Sequence, residues 1–209
     1  MGNDKFGREQ SLQADLNYMY RNNGFLVSIS VFGSHINNYI FFSGTGDIRE
    51  QDNLEIWYYQ QTNAIFKGFE FEIKKSWLPE KRLETSFSGA IVRANERKSQ
   101  RDLTFIPPDN YNLELGYYAL QNKSLYLFSK LRMIDDQTRP GINEEKTPGY
   151  ALLNLGINKD FGSGKNILNA GLTINNALNK TYTDHLSILR AFNVNSAGRN
   201  FTLNLRYNF

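Results

Sequence analysis

The sequence predicts an all-β protein: an antiparallel up-and-down meander of about nine long strands, of the kind that builds the wall of a transmembrane barrel. Three observations predict it. Apolar and polar residues alternate with period two along most of the chain, and helical periodicity is hard to find. The connectors between the alternating runs are short and long by turns. The chain is 40% hydrophobic and 14% aromatic, yet its mean hydropathy is −0.52, as fits strands that are apolar on one face only.

The elements follow in order. Strands over 11–20 and 25–42 are separated by the turn-like "RNNG". The third, 55–76, contains "GFEFEIK", with Phe69, Phe71 and Ile73 on one side and Glu70, Glu72 and Lys74 on the other. After "LPEKR" comes 83–95. The fifth, 111–121, sets Tyr111, Leu113, Leu115 and Tyr117 against Asn112, Glu114 and Gly116. "QNKS" leads to 124–134. In 149–160, Leu153, Leu155 and Ile157 oppose Asn154, Gly156 and Asn158; beyond "FGSGK", 166–177 sets Ala170, Leu172 and Ile174 against Gly171, Thr173 and Asn175. The last, 198–209, has Phe201, Leu203, Leu205, Tyr207 and Phe209 at every odd position and polar residues between them. Aromatic and β-branched residues fill these runs, as a pleated, half-buried surface prefers.

Long polar connectors are expected at 43–53, 98–110, 135–148 and 178–197, one after each strand that follows a short turn. Short and long ends then fall on opposite rims, the layout of turns and loops in a barrel. Strands longer than the ~5–6 residues usual in soluble sheets favour a barrel over a sandwich. Trp57, Tyr58, Tyr111, Tyr150 and Tyr207, near strand ends, fit interfacial aromatic girdles. The period alone leaves a soluble β-rich binding or adhesion module open.

Composition narrows function. No run approaches the ~18 consecutive apolar residues of a membrane helix. Cysteine is absent, so no disulfide framework or thiolate zinc site is expected. The net charge of +3 is spread out; "RANERKSQRD" reads as a solvated loop, and no nucleic-acid partner is expected. His35 and His185, the only histidines, lack metal-ligand spacing. His35 is expected at the rim or lumen. "FGSGKN" lacks the first glycine and the Ser or Thr of a phosphate loop, and is a turn. Glu70 and Glu72 share a strand face and are expected to line a wet interior. Neither a catalytic residue, a metal nor a cofactor is expected.

"TPGYALLNLGINKDF", "LNAGLTINNALNKTYTDHLSILRAF" and "GRNFTLNLRYNF" resemble, in that order, the end of TonB-dependent outer-membrane receptors. The family's Tyr-x-Leu-x-Asn-Leu-like run falls at 150–155, its Asn-Leu-x-Asn-Lys-x-Tyr segment at 176–182 and its Gly-Arg-x-Phe at 198–201. "DHLS" at 184–187 resembles members that import ferric chelates and other metal complexes. Upstream, "LTFIPPDNYNLELGY" is similar to a Leu-Pro-x-Ile-Pro-Pro segment with Thr104 where Pro is usual. "AIFKGFEFEI" resembles an Ala-x-x-x-Gly-x-Glu strand through Ala64, Gly68 and Glu70. "GNDKFGREQSLQADL" resembles a degraded opening motif through Gly2, Asn3, Glu9 and Ser11.

The resemblance implies that residues 1–209 are the C-terminal portion of a 22-stranded barrel, strands fourteen to twenty-two, with signal peptide, plug and earlier strands absent. The implied protein is a receptor and transporter for ferric siderophore, haem or a similar metal chelate, in the outer membrane of a Gram-negative bacterium; the portion alone is not expected to be transport-competent. Its implied partners are outer-membrane lipid, the chelate, the barrel-assembly machinery, and the TonB complex through the plug alone. Phe201, Leu203, Leu205, Tyr207 and the terminal Phe209 are the implied closure and assembly signal. Ligand contacts are expected at Tyr58 and Gln60, which point inward if no bulge interrupts their strand, at Arg139, and at His185 in the last loop.

Overall fold

The computed structural model describes residues 5–209, so Gly2 and Asn3 of the opening motif lie outside the described residues. Nine strands form one sheet: β1 Gln10–Asn22, β2 Phe25–Arg49, β3 Leu54–Trp77, β4 Leu83–Glu96, β5 Asn110–Tyr118, β6 Leu125–Ile134, β7 Tyr150–Ser163, β8 Asn166–Asn175 and β9 Asn200–Asn208. Their spatial order is their chain order, and every neighbouring pair is antiparallel. This is the expected meander. One connector differs. Most of 43–53 is strand, because Ile48 pairs with Glu55 and Arg49 with Leu54, so the β2–β3 hairpin stands well above its neighbours.

The registers sort side chains onto two faces. Val31, Phe69 and Ile91 are aligned across β2, β3 and β4. Phe87 faces Leu113, which faces Leu131, which faces Leu153. Lower on the same face, Leu127, Ile157, Leu172 and Leu203 form another such row. Glu70, Glu72, Ser88, Asn112, Glu114, Lys130, Asn154, Asn158, Thr173 and Thr202 point the other way. Because the pleat alternates strictly, one correct register fixes all the others on that face. Among the described residues no second sheet covers the apolar face: Phe201, Leu203 and Leu205 are 67%, 67% and 65% exposed. A sandwich would seal these residues in a dry centre.

The height of the apolar band can be gauged on β3. Lys67 and Trp77 bound it, about 34 Å apart along the strand at ~3.4 Å per residue. At a tilt near 40° that is about 26 Å along the membrane normal, close to the ~25 Å apolar band of such barrels. At its lower edge, Lys75 lies 5.8 Å from the Phe25 ring centroid and 5.6 Å from that of Trp77, and Lys159 lies 5.9 Å from that of Phe161. Cations there lie over aromatic faces while their stems cover apolar surface. This lower girdle comprises Tyr20, Phe25, Trp77, Tyr117, Phe161 and Tyr207. Of the five expected girdle residues, Tyr111 and Tyr207 are on the outer face. Trp57, outward by parity, and Tyr58, inward, sit high on the hairpin above the band, and Tyr150 faces inward, packed against Tyr182 with centroids 4.4 Å apart and the rings tilted by 39°.

Bulky inner-face rings are seated on glycines. Phe32 lies across its partner Gly68, and Phe128 across its partner Gly156; a Cβ on either glycine would fall 2.2 or 2.1 Å from a ring carbon. At the lower rim, Asn23 and Gly24 both have positive φ (39° and 80°). Such a two-residue turn matches the right-handed twist of the hairpin it closes.

Candidate functional site

At the upper rim the long connectors fold over the inner face. Leu103 and Ile106, from the connector 97–109, pack with Phe41, Ala64 and Ala94. Tyr182, from the connector 176–199, packs on Ile134, Tyr150 and Leu152. Ile134 pairs with Tyr150. By register these wall residues are on the polar, inward side, so small apolar patches anchor the connectors where the wall is otherwise wet.

Glu144 joins the connectors. Its carboxylate accepts the backbone N–H of Phe105 at 3.0 Å and that of Gly141 at 2.9 Å. It also accepts a hydrogen bond from the Arg190 guanidinium and lies 3.3 Å from Nε2 of His185. Arg190 donates to Nδ1 of His185 at 2.9 Å. An arginine only donates, so Nδ1 is an acceptor and the ring proton sits on Nε2, facing Glu144. Burial pushes the Glu144 carboxyl upward, but the hydrogen bonds from His185, Phe105, Gly141 and Arg190 outweigh it and hold the group at about 2. The neighbouring Asn143 donates to the carbonyl of Gly44 at 3.0 Å, on the tall hairpin. Arg190 also lies over the Phe105 ring, 5.1 Å from its centroid. Three connectors and the hairpin therefore share one polar node.

The hairpin gets its shape from extra residues on one strand only. Between the pairs Ile36–Ala64 and Tyr39–Thr62, β2 carries one residue more than β3; between Gly44–Trp57 and Ile48–Glu55 it carries two more. Asn38 takes positive φ (57°) at the first irregularity, a conformation its short polar side chain tolerates. Its amide donates to Oδ1 of Asn63 at 3.0 Å. The bulges bend the hairpin. Its base is braced by a cluster of Phe42, Trp57 and Phe105, with Phe42 and Trp57 centroids 5.2 Å apart and Trp57 and Phe105 centroids 5.7 Å apart.

The expected contact residues fall in separate places. β3 has no extra residue, so its alternation runs unbroken and puts Tyr58 and Gln60 on the side of Glu70 and Glu72. Both are exposed. Arg139 lies elsewhere, in an open cleft of about 300 Å³ with Arg93, Pro108, Asp109, Asp135 and Thr138. No hydrogen bond or ion pair joins Arg139 to Tyr58 or Gln60 among the described residues. His185 is 2% exposed, with both ring nitrogens engaged inside the node. The residues that organise the crown, Glu144, Arg190 and Phe105, were not among those expected. "GINEEKTPG" carries no signal separating a buried glutamate from a solvated one.

Comparison with known proteins adds the following. The family described as "TonB dependent receptor-like, beta-barrel" matches residues 1–177. Among solved structures, the copper transporter OprC superposes with a TM-score of 0.81 at 21% identity, over 99% of this chain and 32% of that one. The ferric enterobactin receptor PfeA of Pseudomonas aeruginosa, as its G324V mutant, gives 0.71 at 20% identity, over 100% and 32%. The ferric citrate transporter FecA, unliganded, gives 0.70 at 14%, over 96% and 31%. At these identities the likeness speaks for the fold. The chain spans about a third of the length of the solved structures it matches.

Proposed function

The chain belongs to the TonB-dependent receptor β-barrel family, and from that premise we propose that residues 1–209 form barrel wall and loop crown of an outer-membrane importer of a metal chelate such as a ferric siderophore or haem. One observation carries the reading most. A single sheet has an apolar outer face, a polar inner face and a crown of connectors tied together over the inner side. Lipid covers the first, water the second, and the third is a preorganised surface on which a ligand can be captured without paying to order the loops.

In this reading Tyr58 and Gln60 present aromatic and amide groups to the ligand from the inner side of the tall hairpin, and Arg139 supplies a cation for an anionic chelate. His185, closed inside the node, acts by holding the last connector in place. Phe201, Leu203, Leu205, Tyr207 and the terminal Phe209 form the outward strand face read by the barrel-assembly machinery. The TonB complex acts on such a receptor through its plug, not through the wall.

The test is uptake. Cells lacking the encoding gene are supplied with radioactive iron as a catecholate, a hydroxamate, a citrate or a haem complex, and with radioactive copper. Loss of uptake of one complex, restored by the intact gene and reduced by Arg139→Ala, is the expected result. Unchanged uptake of all five overturns the proposal.

A further inference from the structure

Directly above the apolar band, the outer face of β2–β4 changes character. The row Ala14–Gly33–Lys67–Arg93 crosses four strands at one level, and Leu12–His35–Ile65–Asn95 forms the next outward row. Both lie on the side of Phe69 and Val31, facing away from the inner cavity. Arg97 reaches across to this side, with Nη1 3.4 Å from Nε2 of His35. Arg93 is neutralised by Asp109. Lys67 and Arg97 meet no carboxylate among the described residues. Beside Lys67, Gly33 leaves a notch: a Cβ built there would find nothing within 4 Å, and its neighbour across β1 is the small Ala14. The opposite rim of the band differs, since its lysines lie over aromatic rings.

We propose that the Gly33 notch, flanked by Lys67, Arg97 and His35, is a seat for the phosphate of an anionic lipid headgroup. The inference rests on the barrel reading, which puts this row at the upper headgroup level. The source of the phosphate is a lipid because the seat stands on the hydrocarbon-facing band. A phosphate held there has its acyl chains directly below, against Val31, Phe69 and Leu16. Two cations without a carboxylate partner among the described residues, above an apolar strip, match such a headgroup in charge and in depth, and a basic residue near a charged membrane surface contributes on the order of tenfold in affinity. A soluble anion gains nothing from the strip.

The experiment uses the full chain in dodecyl maltoside micelles, titrated with phosphatidic acid and with phosphatidylcholine of the same acyl chains, bound lipid being counted by native mass spectrometry. Phosphatidic acid is expected to bind about tenfold tighter or better. Lys67→Gln with Arg97→Gln removes most of that preference. Gly33→Val, which fills the notch and leaves the cations in place, weakens phosphatidic acid severalfold. Lys75→Gln with Lys159→Gln, at the opposite rim, leaves the preference intact, and inorganic phosphate does not displace the lipid. The site is overturned by a preference that survives both upper-rim changes, by equal losses at the two rims, or by displacement with inorganic phosphate. A micelle-bound chain without any preference overturns the site alone; a chain that is folded and monomeric without detergent overturns the barrel reading with it.

Discussion

The carboxylate of Glu144 accepts the backbone N–H of Phe105 at 3.0 Å, across 39 residues of sequence. With Arg190 entering from a third connector, this makes the crown a cross-braced unit instead of a set of independent loops. The Glu144 side chain is 1% exposed and that of Arg190 is 11% exposed. Solvent therefore does little to replace either partner.

Glu144→Ala is expected to loosen all three connectors at once. Removing one member of a buried pair leaves the other uncompensated, at a cost of roughly 3–5 kcal/mol. The amides of Phe105 and Gly141 lose their acceptor and should exchange with solvent at least a hundredfold faster, while strand amides of β5 and β6 stay protected. Hydrogen exchange resolved by residue checks this; unchanged protection at Phe105 refutes the brace.

The same group predicts a pH response. The Glu144 carboxyl is held at about 2 in the folded crown against an ordinary 4.5. A depressed carboxyl stabilises the state that depresses it, fully above about pH 4.5 and progressively less as pH falls toward 2. The difference corresponds to roughly 3 kcal/mol. Crown protection should be flat from pH 7 to 5 and decline below 4.5, and Glu144→Gln should remove that decline.

The strands were legible because alternation is a local signal: each of the nine is visible in its own residues, and register follows from it. The tall hairpin was not legible. Gly44, Gly46 and Asp47 look like loop, and the extra residues that let β2 continue break the very period by which strands are recognised. Glu144 was hidden for another reason. A glutamate beside Glu145 and Lys146 reads as solvated; only the approach of Phe105 and Arg190, from distant parts of the chain, buries it. Tyr58 and Gln60 keep the parity of Glu70 and Glu72 because the extra residues fall on β2 and not on β3.

Face assignment is testable on β9. Leu203→Arg puts a charge in the middle of the outer apolar face and is expected to cost about 2–4 kcal/mol in a bilayer. Thr202→Arg, one residue away on the inner face, should cost under 1 kcal/mol. Urea unfolding of the chain in lipid vesicles compares them, and equal costs would contradict the two-sided wall.

Gly156→Ala should reverse the usual preference of strands for a side chain. The new methyl group falls 2.1 Å from the Phe128 ring, so the ring must leave its seat, at about 1–3 kcal/mol. Phe128→Ala combined with Gly156→Ala should recover part of the loss, a coupling that a double-mutant cycle in vesicles measures.

The shared carboxylate also sets terms for anyone wishing to give this scaffold a new specificity. Transplanting 97–109 by itself puts at risk the Phe105 contacts of Glu144 and Arg190; replacing 176–199 by itself takes Arg190 and His185 from Glu144. The unit of exchange is the trio 97–109, 135–149 and 176–199 moved as one cassette, together with the hairpin residues Gly44, Phe42 and Trp57 on which it is seated.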